Sequence, residues 1–186
     1  MTSKNTYPES SVGDAFLAQA RDFLKGDYLP KLERCLVELT DEQIWWRPGS
    51  ESNSIGNLLL HLAGNARQWI ISGLGGEIDE RVRSQEFDES NLIPGSDLIS
   101  DLRQTIEQVD AVLARFDSQR ILDHFRIQGT EVTALEAIFH VTEHFSMHTG
   151  QIIFVTKMLS HSGLNFYHFS NGAPVHVWRN AEQKRR

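Results

Sequence analysis

Thr133-Ala134-Leu135-Glu136-Ala137-Ile138-Phe139-His140-Val141-Thr142-Glu143-His144-Phe145-Ser146-Met147-His148-Thr149-Gly150-Gln151-Ile152-Ile153 is the stretch that decides the fold. It opens on Thr133-Ala134-Leu135-Glu136, a capping box, in which a Thr side chain and a Glu three residues later satisfy each other's backbone N–H groups at a helix start. Leu135, Ile138, Phe139, Thr142, Phe145, Ile152 and Ile153 then recur at helical spacing, which predicts one long helix from Thr133 to about Ser160. His140, His144 and His148 lie along the same helix. Residues i and i+4 share a face, about 6 Å apart along the axis, so two such imidazoles can reach one metal ion. Zinc-protease helices use that geometry in H-E-x-x-H; here the pair encloses Phe145-Ser146-Met147, with no glutamate to act as a peptidase base. Each step of four residues drifts by about 40°, so the three rings cannot face one site equally. Two are expected to be ligands and one to stand beside the site, and spacing alone does not choose which two.

A helix of this length must bury its stripe against others, and three more segments supply them. The first runs from about Asp14 to Leu39, with Phe16, Leu17, Ala20, Phe23, Leu24, Leu32, Leu36 and Leu39 in helical register and a kink or break expected near Leu29, ahead of Pro30. The second runs from about Ser54 to Ser72. Asn53 or Ser54 caps it, Ile55, Leu58, Leu59, Leu62, Ala66, Trp69 and Ile70 form its stripe, and Gly73, Gly75 and Gly76 end it. The third runs from about Asp97 to Phe116, with Ser96 as N-cap, Pro94-Gly95 as a preceding turn, and Leu98, Leu102, Ile106, Val109 and Leu113 inward. The expected fold is therefore an all-α four-helix bundle. A short hairpin over 125–132 before the fourth helix is possible, because that stretch alternates around Gly129. The connection from Gly73 to Gly95 is long and charged, a length that compact domains reserve for functional or disordered segments. The tail 161–186 reads as irregular structure packed on a core of about 14–160, within a single domain of 1–186.

Composition removes several classes of function. The chain has 186 residues and a net charge of −7, and its one basic cluster is the terminal Lys184-Arg185-Arg186, which argues against nucleic acid as a partner. The single cysteine, Cys35, can form neither an internal disulfide nor a multi-thiolate zinc site, and it sits among apolar residues as a small hydrophobe would. The start of the chain, Met1 to Asp14, is polar, and no stretch approaches the roughly 20 apolar residues of a membrane span, so a cytoplasmic protein without membrane attachment is expected.

His61 lies mid-way along the second helix, beside its apolar stripe. A lone histidine there is ordinarily a hydrogen-bonded boundary residue. A bundle can nevertheless bring it opposite the fourth helix, and bundle metal sites are built from facing helices. Three imidazoles leave a coordination position open, as catalytic sites do. Glu143 and Gln151 are candidates for orienting a ligand imidazole. His124, His161, His168 and His176 read as surface or packing residues.

Two motifs together resemble a known family. Asn53-Ser54-Ile55-Gly56-Asn57-Leu58-Leu59-Leu60-His61-Leu62-Ala63-Gly64 is similar to the second-helix signature of the DinB-like (YfiT-like) superfamily, and His140 to Ile152 resembles its fourth-helix signature; Trp45-Trp46-Arg47-Pro48 resembles the turn into the second helix. The resemblance covers about Phe16 to Leu159. It implies a four-helix bundle of up-up-down-down style, often a homodimer, whose metal triad falls on His61, His144 and His148 and leaves His140 just outside. The metal would be a divalent ion such as zinc, nickel or iron. Members with known activity resemble thiol S-transferases and the mycothiol-dependent maleylpyruvate isomerase, which implies a small-molecule substrate and a low-molecular-weight thiol cosubstrate. Thr149 departs from the pattern, since many relatives carry Arg before the Gly-Gln pair. The Trp-Trp-Arg turn resembles an uncharacterised branch. The expected function is thus a metal-dependent transferase using a thiol; the alternatives are a metal-dependent hydrolase or a non-catalytic metal- or small-molecule-binding bundle.

Overall fold

The computed structural model describes residues 11–160 and 163–178. Met1 to Ser10, His161 and the basic Lys184-Arg185-Arg186 lie outside the described residues. The first long helix consists of α1 (Val12–Arg21), a π-helical segment (Asp22–Tyr28) and α2 (Leu29–Val37). Of the kink or break expected near Leu29, the chain shows no break, because the backbone stays right-handed helical through both junctions, and the π-helical segment gives way to α2 at Leu29. Pro30 has no N–H for the carbonyl four residues back, that of Gly26, and the Trp178 indole N–H donates to that oxygen at 3.0 Å. A short α3 (Asp41–Ile44) follows, with Thr40 and Gln43 as its capping box.

The second helix is α4 (Ile55–Ala66), capped by Ser54 and Asn57 and prolonged by a π-helical segment (Arg67–Ser72) up to Gly73. The long connection is not bare loop, since it carries α5 (Arg83–Asp88). The third helix, α6 (Gly95–Arg115), begins earlier than expected. Ser96 is not its cap. Instead the Asp41 carboxylate accepts the Gly95 N–H at 2.8 Å, so a side chain from α3 satisfies the helix start, which no local motif reveals. A short hairpin of β1 (His124–Ile127) and β2 (Thr130–Thr133) leads into α7 (Ala134–Ser160), capped by Thr133 and Glu136 as expected. The tail is more ordered than its composition suggested. β3 (Tyr167–Ser170) and β4 (Ala173–His176) pair around Asn171-Gly172, whose φ values of 51° and 80° make the positive-φ turn that Asn-Gly favours.

α4 packs between α6 and α7, and α1 with α2 packs between the same two helices on the opposite side. Gly95 sits against Ile44, and the Gln43 amide donates to the Leu159 carbonyl, so the first helix ends, the third begins and the fourth ends at one pole. Gly13 lies against Ser118 at the other pole. Arg21–Asp110 and Glu33–Arg103 pairs run antiparallel, as do His61–His144 and Asn65–His140. The helix directions are therefore up, down, down, up, which corrects the up-up-down-down order expected. The short link through α3 turns the chain straight back, and the 73–95 connection makes the return along the bundle. Leu32, Leu62, Leu102, Ile106, Ile138 and Phe145 are fully buried between these helices. At roughly 1.5–3 kcal/mol per buried side chain, burial of this core is the main favourable contribution holding the helices together. Phe139, expected inside, is 59% exposed and lines the outer side of α7 with Met147, Phe154 and Met158. Among the described residues, no helix is long and apolar enough to cross a membrane.

Candidate metal centre

The capping box at Ser54 fixes where α4 starts, and that start sets His61 on the side facing α7. Antiparallel packing then brings His61 opposite His144, with the two Nε2 atoms 2.8 Å apart. The His148 ring stands edge-on to both, with centroids 5.3 Å from His61 and 4.5 Å from His144. One ring nitrogen from each of the three lies within 4.8 Å of the others, and His61 is the buried member. Of the pairings left open by spacing, His144 with His148 is the one the fold brings to His61. His140 faces away. Its Nε2 meets the Asn65 amide nitrogen at 3.2 Å, and its ring lies on Trp69 with centroids 4.2 Å apart.

The group has the chemistry of a metal site. Metal–nitrogen bonds of about 2.0–2.1 Å place tetrahedral ligand nitrogens about 3.3 Å apart, a figure that the observed separations bracket. Two of the imidazoles have their far nitrogen tied. The Glu86 carboxylate accepts from His61 Nδ1 at 2.8 Å, and the Gln151 side-chain oxygen accepts from His148 Nδ1 at 2.7 Å. In a neutral ring such a bond holds the proton on Nδ1 and leaves the Nε2 lone pair for an ion. Gln151 thus orients a ring as expected, whereas Glu143 is exposed and makes no hydrogen bond to a histidine among the described residues. Burial, reinforced by the neighbouring His148, His61 and His140, pushes the His144 pKa down to about 3, and burial likewise lowers those of His148 and His140. Neutral imidazoles are what a metal requires.

The residues around His61 that sequence reasoning missed all come from the 73–95 connection. Arg81 pairs with Glu86 through Nε–Oε1 at 2.6 Å and Nη2–Oε2 at 2.9 Å, and its Nη2 lies 3.1 Å from His61 Nδ1. Both side chains are nearly buried, at 5% and 9% exposure. Burial alone would raise the Glu86 pKa, but the Arg81 and His61 hydrogen bonds outweigh it and hold the carboxyl below its ordinary value. Phe87 covers one face of His61 with ring centroids 4.9 Å apart, and the Arg83 guanidinium lies over Phe87. The length of the connection was the one sequence signal for these residues. A cavity of about 500 Å³ lies between this segment and α4, walled by Leu60, Gly64, Arg67, Arg81 and Glu86. It shares Glu86 and Arg81 with the centre but is lined by none of the three histidines.

A four-helix bundle with three imidazoles converging between its second and fourth helices has the DinB-like fold and a cluster that could hold a metal ion. The sequence matches over residues 11–172 the family described as "Protein of unknown function (DUF1572)", and the chain belongs to that family. Three solved structures are similar to it. A DinB-like protein from Bacillus cereus aligns with a TM-score of 0.61 at 16% identity, over 80% of this chain and 95% of that one. A DinB-like protein from Bacillus subtilis aligns with a TM-score of 0.60 at 17% identity, over 81% and 97%. A conserved protein from Enterococcus faecalis aligns with a TM-score of 0.63 at 14% identity, over 78% and 97%. At these identities the likeness is one of fold. No curated protein matches the chain significantly.

Proposed function

We propose that the protein holds a divalent metal ion, zinc, nickel or iron, at His61, His144 and His148. In this reading it is a metal-dependent transferase that uses a low-molecular-weight thiol on a small electrophilic substrate. The observation that carries the reading is the convergence of three imidazoles, two with their far nitrogens held by Glu86 and Gln151. An ion bound there supplies Lewis acidity and lowers the pKa of a bound thiol, providing a nucleophile at neutral pH. The chain has no thiol of its own for this work: Cys35 is fully buried, and burial pushes its pKa up to about 11. The nucleophile must therefore enter with a cosubstrate. His144 and His148 are only partly buried, so the side of the site they form is the one open to small molecules, while Phe87 and α4 cover His61.

Hydrolysis is less well supported, because it needs a base beside the bound water. Glu86 is the carboxylate that touches the triad, and it faces His61 Nδ1, away from the converging nitrogens, with both oxygens engaged by Arg81. The acidic net charge of −7 and the lack of a spanning helix among the described residues are in keeping with a cytoplasmic protein that binds neither nucleic acid nor membrane. The exposed Phe139, Met147, Phe154 and Met158 on α7 suit burial in a homodimer. Elemental analysis of untagged protein, followed by turnover assays with a panel of thiols and electrophiles on the metal-loaded form, tests the reading. Bound metal with thiol-dependent turnover is expected. Metal without turnover would reduce the protein to a binding module, and failure to take up added zinc would overturn the site.

A further inference from the structure

We propose that residues 81–87 form a positioning arm, in which the Arg81–Glu86 pair fixes the tautomer and orientation of His61 for the ion; the proposal rests on the metal reading of the triad. The arm is pinned by its backbone. The buried Asn57 side-chain amide donates to the carbonyls of Glu86 at 2.9 Å and Glu89 at 3.1 Å. Arg47 also donates to the Glu89 carbonyl at 3.1 Å, and the Trp45 indole donates to that of Ile93 at 2.9 Å. All three donors belong to the turn into the second helix and that helix's first turn. Trp45, Arg47 and Asn57, which touch none of the three histidines, thus act on the triad by holding the connection in place.

At its working end the arm leaves Glu86 a single position. Oε2 accepts from His61 and from Arg81, and Oε1 accepts from Arg81. Arg81 is held in turn by Gln68 through Nη1 at 2.9 Å, and its backbone N–H donates to Asp79 at 3.1 Å, while Gln68 donates to the other Asp79 oxygen at 2.6 Å. Behind the carboxylate stands Gly64, where a Cβ would come within 2.0 Å of Oε1. A carboxylate at His61 Nδ1 keeps the proton there, aims Nε2 at His144 and makes that nitrogen a better donor to an ion. Arg81 keeps the buried carboxylate from standing uncompensated and occupies both oxygens, so that Glu86 orients the ligand without becoming one.

A pair that merely clipped the segment to α4 would not need its acceptor at His61, and this separates the two roles. Zinc affinity is measured by competition with a chromophoric chelator, and the His61 tautomer by 15N imidazole shifts in the metal-free protein. The variants are Glu86→Gln, Asn57→Ala with Ser54→Ala beside it, and the double Arg81→Ala/Glu86→Ala, which removes both charges together. The double variant should keep the helical circular dichroism of the parent, bind zinc about 10–100-fold more weakly and lose the single Nδ1–H tautomer of His61. Glu86→Gln, whose amide oxygen can still accept, should retain more affinity than the double variant. Asn57→Ala should weaken zinc although it touches no histidine, and more than Ser54→Ala, which breaks the same helix cap but leaves the bonds to Glu86 and Glu89; the pair also serves if the double variant fails to fold. Folded variants with parental zinc affinity and an unchanged tautomer would overturn the arm. A parent protein that binds no zinc would overturn the metal reading instead.

Discussion

Replacing Gly64 by alanine should weaken the site from behind, and its cost can be worked from the structure. In a helix interior, Gly→Ala ordinarily stabilises by about 0.8–1.0 kcal/mol. At Gly64 the added Cβ would lie 2.0 Å from Glu86 Oε1 and 3.0 Å from Arg81 Nε, so the carboxylate must move. Moving it strains or breaks hydrogen bonds to charged groups worth roughly 1.5–3 kcal/mol each. Losing the equivalent of one such bond against the propensity gain leaves a net destabilisation of about 0.5–2 kcal/mol, or a Tm lower by roughly 1–8 °C at about 2–4 °C per kcal/mol for a chain of this size. Gly150 is the internal control. It is a helical glycine of α7 whose added Cβ would meet nothing within 4 Å, so Gly150→Ala should raise Tm by about 2–4 °C. Thermal melts of both variants in chelator, with zinc titrations alongside, read the difference, and Gly64→Ala should also lose about tenfold or more in zinc affinity as Glu86 leaves His61. If Gly64→Ala is stabilised like Gly150→Ala and binds zinc like the parent, Glu86 is not wedged between α4 and Arg81, and the reasoning fails.

His61→Ala, His144→Ala and His148→Ala should each strip bound metal while circular dichroism stays helical, whereas His140→Ala, whose ring is turned to Asn65 and Trp69, should keep most of it; metal loss in His140→Ala with retention in His148→Ala would refute the assignment. In the metal-free protein His144 has a folded pKa lowered to about 3 against about 6.5 unfolded, so its contribution is fully present above about pH 6.5 and is lost as pH falls from there toward 3. Urea midpoints should therefore decline between pH 7 and pH 4, and a midpoint flat over that range would exclude a buried neutral His144. Phe154→Glu, placed on the exposed apolar side of α7, should shift a homodimer to monomer in sedimentation velocity, and a parent protein that sediments only as monomer at micromolar concentration would remove the dimer.

The sequence by itself determined the four helices and most of the site. Apolar periodicity is a local property, and so are the Asn53 or Ser54 cap and the capping box at Thr133, which set the register of α4 and α7 to within a residue. Once those registers stand, the rotation of each histidine about its helix is settled, and a bundle in which the second and fourth helices meet can join His61 to only part of the α7 row. The Asn171-Gly172 turn is a local feature as well, but the pairing of the strands on either side of it is not what the composition of the tail predicts. What only the tertiary structure decided depends on groups far apart in the chain. The start of α6 at Gly95 is set by Asp41, and the unbroken first helix has Trp178 donating to the carbonyl opposite Pro30. Helix order was of the same kind, because periodicity carries no direction. Glu86 and Arg81 belong here as well. Nothing in their local sequence separates them from the other charges of the connection, and they meet His61 because Asn57, Arg47 and Trp45 hold that connection by its backbone carbonyls, an interaction that acts through the main chain and leaves no pattern in the residues it grips.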